Sequence, residues 1–252
     1  MFDLQRAGMW KRLSAALFDS IILFTVIVAM ALLLSTVLGY DAHVARLDEL
    51  ESRYGEEFGV DLDITSEEMS KLSEEERKVY EAADQAFGQD PDVIYTYNMM
   101  LSKAVVIVTF SILLGYLLLE FLVPLLFGNG QTFGKKLFGI GVMRVDSVRL
   151  PAVLLFARTV LGKFTIGTMI PVYVVIMIVF GRIGFFGTVI VGGLLLAQAI
   201  LFFGTHEHTP IHDKLAGTVT VDLGSQMIFD SPEELLEYKK RIHAETTAKQ
   251  ER

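Results

Sequence analysis

Four long stretches of this chain are nearly free of charge, and this feature limits the fold more than any other. The stretches are residues 13–40, 103–127, 164–181 and 183–205. The first contains one charged residue, Asp19, and the second contains only Glu120 after the edge residue Lys103. About 20 consecutive apolar residues are enough for a helix to cross a bilayer. The sequence therefore predicts an all-α membrane protein with four transmembrane helices in contact with lipid.

Basic residues are concentrated in the segments that an even number of spans places on one side of the membrane. These residues are Lys11, Arg12, Lys135, Lys136, Arg144, Arg149, Arg158 and Lys163. Segments rich in lysine and arginine remain in the cytoplasm. We therefore expect residues 1–12, 128–163 and 206–252, including both termini, to be cytoplasmic.

Residues 41–102 form an acidic insert that this topology places outside the cell. Residues 41–98 carry seventeen acidic and five basic side chains, although the net charge of the whole chain is only −8. Apolar residues recur at helical spacing in two places, and Ser73 with Glu76 has the pattern of a capping box. The insert is therefore predicted to be an external helical hairpin. Its helices would pack on each other or on the membrane body, or would bind an unknown protein partner.

Two cytoplasmic segments have the alternation of short strands. They are "GIGVMRVD" from Gly139 and "GTVTVD" from Gly217, which could pair as a small β-ribbon. Residues 152–163 are too charged for a span, and they are predicted to form an interfacial helix that leads into the third span. From Ser231 onward the sequence predicts a solvated helix, with Pro232 in its first turn.

The charged residues inside the spans are the first candidates for function, because a charge in hydrocarbon is expensive. Asp19 lies two helical turns, roughly 10 Å, beyond Arg12. Glu120 and Gln198 lie at a similar depth in the second and fourth spans, so the three could share one ion or proton site. Pro124 lacks the amide that would bond the carbonyl of Glu120, and a free carbonyl there could help to bind a cation.

The alternative is that these carboxylates form structural ion pairs with Arg12, Arg158 or Lys163. Side chains of a helix lean toward its N-terminus, so Asp19 leans toward Arg12 while Arg12 leans away. A partner from another helix, such as Arg158, is therefore easier for Asp19 to reach.

The segment "HEHTPIHDKLAGTVTVD" from His206 carries several metal-ligand types in a short space. His206 and His208 lack the i, i+4 spacing of helical ligands and Pro210 breaks any helix, so we expect no metal site. His212 with Asp213 could pass protons near neutral pH. The alternative is that Asp213 caps a turn or pairs with a basic residue.

In ordered combination these segments resemble the RDD family of bacterial membrane proteins. Arg12 and Asp19 in "RLSAALFD" match the first arginine and aspartate of the family, and "GQTFGK" from Gly130 matches its Gly-Gln-Thr-x-Gly-Lys segment. Arg158 matches the arginine that follows, and Asp213 in "HDKLAGT" matches the second aspartate. Residues 41–102 and the C-terminal tail lie outside the pattern.

The resemblance implies a multi-pass protein of the bacterial inner membrane. Some members are reported as sodium/proton antiporters, which suggests Asp19 and Asp213 as exchange sites. Our leading hypothesis is monovalent cation/proton exchange at Asp19, with Glu120 assisting and Arg158 or Arg12 stabilising the empty state. Four spans leave little room for a transport path within one subunit, which favours either a homodimer or the competing hypothesis. The competing hypothesis is a non-catalytic membrane adaptor. We expect no enzymatic activity, no cofactor and no nucleic-acid partner.

Overall fold

The computed structural model describes residues 5–179, 181, 184–204 and 210–250. Its helices are α1 (Met9–Leu38), α2 (Tyr40–Phe58), α3 (Ser66–Lys71), α4 (Glu74–Gln89), α5 (Pro91–Tyr116), α6 (Val123–Phe127), α7 (Phe133–Leu137), α8 (Ala152–Ala157), α9 (Ile170–Val179), α10 (Gly184–Ala199), α11 (Ile211–Ala216) and α12 (Pro232–Gln250). Its strands are β1 (Ile140–Arg144) and β2 (Thr218–Asp222). The wider π-helical segments are π1 (Leu117–Leu122), π2 (Arg158–Met169) and π3 (Ile200–Gly204). The chain is therefore mostly helical with one small sheet.

Three described helices are long and apolar enough to cross a membrane. They are Met9–Leu38, Pro91–Phe127 and Ala152–Ile178. The third begins twelve residues before the predicted span at residue 164, because α8, π2 and α9 follow one another without a break. The predicted interfacial helix and the predicted third span therefore belong to one continuous helical stretch, and the boundary between them at residue 164 stays a prediction. The apolar helix Gly184–Ala197 is shorter, so the fourth span stays a prediction.

The chain divides into two compact units, one of which is Val28–Ser111. In this unit α2 packs against α4, with Leu50 and Ala83 fully buried. The rings of Tyr54 and Phe87 meet edge to face with 5.8 Å between their centroids. The predicted capping box is present at the start of α4, where Ser73 accepts the amide of residue 76. That residues 41–102 lie outside the membrane stays a prediction.

The second unit contains the predicted β-ribbon, which is confirmed. β1 and β2 pair antiparallel, with Val142 opposite Thr220. Four of the five residues in each strand are buried. The N-terminal residues run along the free edge of β2, since the Ala7 amide donates to the Thr220 carbonyl over 3.1 Å. The sheet is therefore held against the residues that lead into α1.

A tight loop joins the second apolar helix to α7 and brings the chain back to the sheet. Gly130 adopts a φ of +59°, a conformation that favours glycine. A Cβ at this position would also lie only 2.9 Å from the Cβ of Val142. The loop then ends at Thr132, whose hydroxyl accepts the amide of Lys135 and caps α7. This capped turn delivers two residues of the candidate site.

Candidate functional site

A cavity of about 330 Å³ lies in the second unit, where α1, π1, α7, π2 and α11 come together. Among the residues that the structure describes, seven charged side chains line it: Arg12, Asp19, Glu120, Lys135, Arg158, Lys163 and Asp213. The sequence analysis had singled out every member of this set except Lys135 as a site residue or charge partner. The structure thus brings residues that are more than 190 positions apart in the sequence to one pocket.

Asp19 connects α1 to the start of α7. The Thr132 hydroxyl donates to its Oδ2, and the Gly134 amide donates to its Oδ1 over 2.7 Å. The two helices approach so closely here that a Cβ at Gly134 would overlap the carbonyl oxygen of Ala15. The predicted ion pair between Asp19 and Arg158 is therefore wrong, since backbone and hydroxyl donors of the Gly-Gln-Thr-x-Gly-Lys segment hold this carboxylate.

Arg158 is instead paired with Asp213. Its Nε lies 2.6 Å from the Asp213 Oδ1, and both side chains are only 2% exposed. The Thr218 hydroxyl donates to the same oxygen over 2.9 Å. Burial alone would raise the pKa of Asp213, but the Arg158 guanidinium more than offsets this and holds the pKa well below its usual range. Asp213 is therefore a permanent anion at neutral pH, as expected for the partner of a basic residue.

Glu120 forms the second buried ion pair of the cavity. The Lys163 ammonium contacts its Oε2. The Glu120 carbonyl, which the sequence suggested as a free cation ligand beside Pro124, accepts the Thr159 hydroxyl over 2.9 Å. This carbonyl therefore already has one donor, which comes from π2.

Lys135 is the charged residue of the cavity that the sequence analysis missed as a site residue. Only 8% of its surface is exposed. Among the ion pairs between described residues, none includes its ammonium group within 4.0 Å of a carboxylate. Burial, followed by the repulsion of Lys163, lowers the pKa of Lys135 to about 7. The signal was present in the sequence, since this lysine ends the Gly-Gln-Thr-x-Gly-Lys segment.

His212 also lines the cavity, but it does not carry a charge at neutral pH. Burial lowers the pKa of its imidazole to about 3, the nearby Arg158 adds to the effect and Asp213 opposes it. Its Nε2 lies 4.0 Å from the Asp213 Oδ1. Proton uptake by His212 near neutral pH, which the sequence suggested, is therefore not supported.

The remaining candidates of the sequence analysis lie outside the described part of the chain. His206, Glu207 and His208, considered as metal ligands, lie outside the described residues. The side chain of Gln198 is not described either. The site as described therefore contains four cationic side chains, three carboxylates and a neutral imidazole.

The polar uncharged lining of the cavity consists largely of hydroxyl groups. They belong to Ser20, Tyr116, Thr168 and Thr220. The hydroxyls of Tyr116 and Thr168 lie 2.9 Å apart and hold the second apolar helix to π2. Hydroxyl and carboxylate oxygens are ligands for hard cations, whereas the ammonium and guanidinium groups attract anions. The described lining thus offers ligands for a cation as well as groups that attract an anion.

Comparison with known protein families identifies the family of this chain. The model of the RDD family matches residues 6–217, which is most of the chain and includes all seven charged residues of the cavity. No curated protein and no solved structure matches.

Proposed function

This chain belongs to the RDD family, and on that premise we propose that it is a membrane protein that exchanges a monovalent cation, with sodium as the first candidate, for a proton. The observation that carries the proposal is the cavity in which, among the described residues, three carboxylates face four cationic side chains. Intramembrane and membrane-proximal ionisable residues of this kind are typical of ion and proton pathways.

The charge balance of the cavity disfavours binding of the proton and the cation at the same time. With all four cationic side chains protonated, the seven charged residues that the structure describes in the cavity sum to +1. A sodium ion would raise the sum to +2, and two like charges about 5 Å apart repel by roughly 3 kcal/mol at an effective dielectric constant of about 20. Loss of one proton removes this penalty. A cation therefore binds well only after a proton has left.

Asp19 offers the most suitable oxygens for the cation. Each of its carboxylate oxygens accepts one hydrogen bond, from Thr132 or from Gly134, and keeps further acceptor capacity. The Ser20 hydroxyl lines the cavity one residue further along α1. Glu120 assists through its negative charge, while Asp213 stays bound to Arg158 and fixes the walls of the cavity.

We further propose the topology that the basic residues predict. The protein would lie in the inner membrane of a bacterial cell with four spans and both termini in the cytoplasm. The three apolar helices support contact with lipid. A homodimer would supply the transport path for which a single subunit offers little room.

The test is a flux assay with the full chain in proteoliposomes that contain a pH-sensitive dye. Pulses of sodium, lithium or potassium are expected to drive proton movement in wild type and not in Asp19→Asn. Asp222→Asn is the matched control, because Asp222 pairs with the half-exposed Lys11. Both variants are first shown to be folded by size-exclusion chromatography and thermal unfolding. A silent wild type under every gradient would refute the proposal.

The second candidate is a non-catalytic adaptor in which the charged residues only hold the helices together. It is favoured because each described carboxylate of the cavity already has a partner. Asp19 accepts hydrogen bonds from Thr132 and Gly134, Glu120 contacts Lys163, and Asp213 pairs with Arg158. On this hypothesis residues 41–102 bind a protein partner. Exchange activity that disappears in Asp19→Asn would reject it, since an adaptor needs no cation-dependent proton movement. Neither candidate requires a cofactor or an enzymatic step.

A further inference from the structure

Lys135 differs from the other cationic residues of the cavity in its surroundings. Arg158 and Lys163 are each in an ion pair with a carboxylate. Lys135 is equally enclosed but has no carboxylate within ion-pair distance among the described residues. We propose that Lys135 is the group that gives up its proton when the cation binds, an inference that rests on the proposed function.

The chemistry of the other charged side chains argues against each of them as the group that releases the proton. The guanidinium groups of Arg12 and Arg158 do not deprotonate in proteins. Deprotonation of Lys163 would leave the buried Glu120 without its counter-ion, which is strongly unfavourable. The three described carboxylates already have partners, in Thr132 and Gly134, in Lys163 and in Arg158. If Lys135 becomes neutral, every described carboxylate of the cavity keeps its partner.

The groups that face Lys135 come from three elements. Asp19 on α1 and Glu120 on π1 attract its positive charge, whereas Lys163 and Arg158 on π2 repel it. Arg12, His212 and Asp213 line the same cavity. Burial and the two repelling cations outweigh the two carboxylates, so the pKa of Lys135 falls to about 7. Its proton can therefore be exchanged under physiological conditions.

The backbone couples Lys135 to the proposed cation ligand. The Thr132 hydroxyl that donates to Asp19 also accepts the Lys135 amide over 3.4 Å. The amide of the preceding residue, Gly134, donates to the other oxygen of Asp19. The same capped turn thus holds both the carboxylate that would bind the cation and the lysine that would lose the proton. A cation at Asp19 would lie close enough to repel the ammonium group.

The step is a simple ionic exchange. The cation enters and binds carboxylate and hydroxyl oxygens, one N–H bond of the Lys135 ammonium breaks, the electron pair stays on nitrogen and the proton passes to water. The charge of the cavity remains +1 before and after the step. Nothing is oxidised or reduced.

The experiment measures proton release when sodium chloride is added to the full chain in detergent, in weak buffer near pH 7. Wild type is expected to release up to one proton for each sodium ion bound. Lys135→Gln should bind sodium without releasing a proton, because its side chain is neutral at every pH. Lys135→Arg keeps a positive charge that is not lost, because the guanidinium group does not deprotonate in proteins. This variant should therefore bind sodium at least tenfold more weakly. Lys136→Gln is the matched control, since Lys136 is an exposed neighbour over the Phe127 ring.

Each outcome separates this inference from the proposed function. Proton release that persists unchanged in Lys135→Gln would overturn the role of Lys135 but leave cation/proton exchange standing. Wild type that binds no sodium would overturn both. Binding of sulfate or phosphate with proton uptake would also overturn both, and would mean that the excess positive charge of the cavity serves an anion. If Lys135→Gln does not fold, Lys135→Arg decides alone, because wild-type sodium affinity in this variant contradicts the inference.

Discussion

The Nε of Arg158 lies 2.6 Å from the Oδ1 of Asp213, and both side chains are almost completely buried. This pair joins π2 to α11, and the Thr218 hydroxyl extends it to β2. Close packing surrounds it, since a Cβ at Gly162 would lie 2.5 Å from the Cβ of His212. Arg158 and the second aspartate of the family pattern therefore connect π2 to α11 and to the sheet in this chain.

Asp213→Asn should destabilise the protein by about 3–5 kcal/mol, because it leaves the Arg158 guanidinium buried without a counter-ion. Thermal and denaturant unfolding in detergent measure the loss. Asp222→Asn is the control, and it should cost less than about 1 kcal/mol because its partner Lys11 is half-exposed. The double variant Arg158→Met with Asp213→Leu should recover part of the loss. Equal unfolding of Asp213→Asn and the control would mean that the pair does not form.

Thr132→Val should destabilise the protein by about 2 kcal/mol. The valine has the same shape but removes both the donor to Asp19 and the cap of α7. Thr132→Ser keeps the hydroxyl and should stay within about 1 kcal/mol of wild type. Unfolding midpoints of the two variants, measured side by side, give the comparison. Similar midpoints for serine and valine would show that the hydroxyl is not needed.

Gly134→Ala should be strongly destabilising, because the new methyl group would overlap the Ala15 carbonyl and press on Asp19. We expect a loss of at least about 2 kcal/mol. Gly88→Ala is the control, since a Cβ at that helical position meets nothing within 4 Å. It should be neutral or stabilising by up to about 1 kcal/mol. A Gly134→Ala protein as stable as this control would show that α7 does not pack on α1 as described.

The stability of the protein should rise with pH because of Lys135. The folded protein loses this proton at about pH 7, while the unfolded chain keeps it up to about pH 10.5. Between these values the unfolded state binds more protons, so the free energy of unfolding increases by up to about 1.4 kcal/mol for each pH unit. Lys135→Met should flatten this dependence between pH 7.5 and 9.5, measured by denaturant unfolding. An identical slope in wild type and variant would contradict the lowered pKa.

The sequence was enough to predict the helical character, the β-ribbon and most of the charged cavity. The apolar stretches and the alternation in "GIGVMRVD" and "GTVTVD" are local patterns, and local patterns determine which elements form. The Arg158 and Asp213 matches to the family located two further residues of the site. These predictions depend on residues close together in the chain.

Which charges pair with each other could not be predicted from the sequence. The pairing of Arg158 with Asp213 joins residues 55 positions apart, and the bond from Gly134 to Asp19 spans 115 positions. Both contacts depend on how α7 and α11 fold back onto the membrane helices, and no periodic pattern in the sequence predicts this. The buried partners of Arg158 and Lys163 were not predictable for the same reason, since Asp213 and Glu120 lie on other segments of the chain.

The most direct test of the central claim is the affinity of the purified full chain for radioactive sodium, measured at equilibrium from pH 6 to pH 9. If proton and cation are alternatives in one cavity, the apparent affinity should fall up to tenfold for each pH unit below about 7 and level off above it, because binding of the two ions is reciprocally linked. Saturable binding with the same affinity at pH 6 and pH 9, or no binding at any pH, would contradict the account.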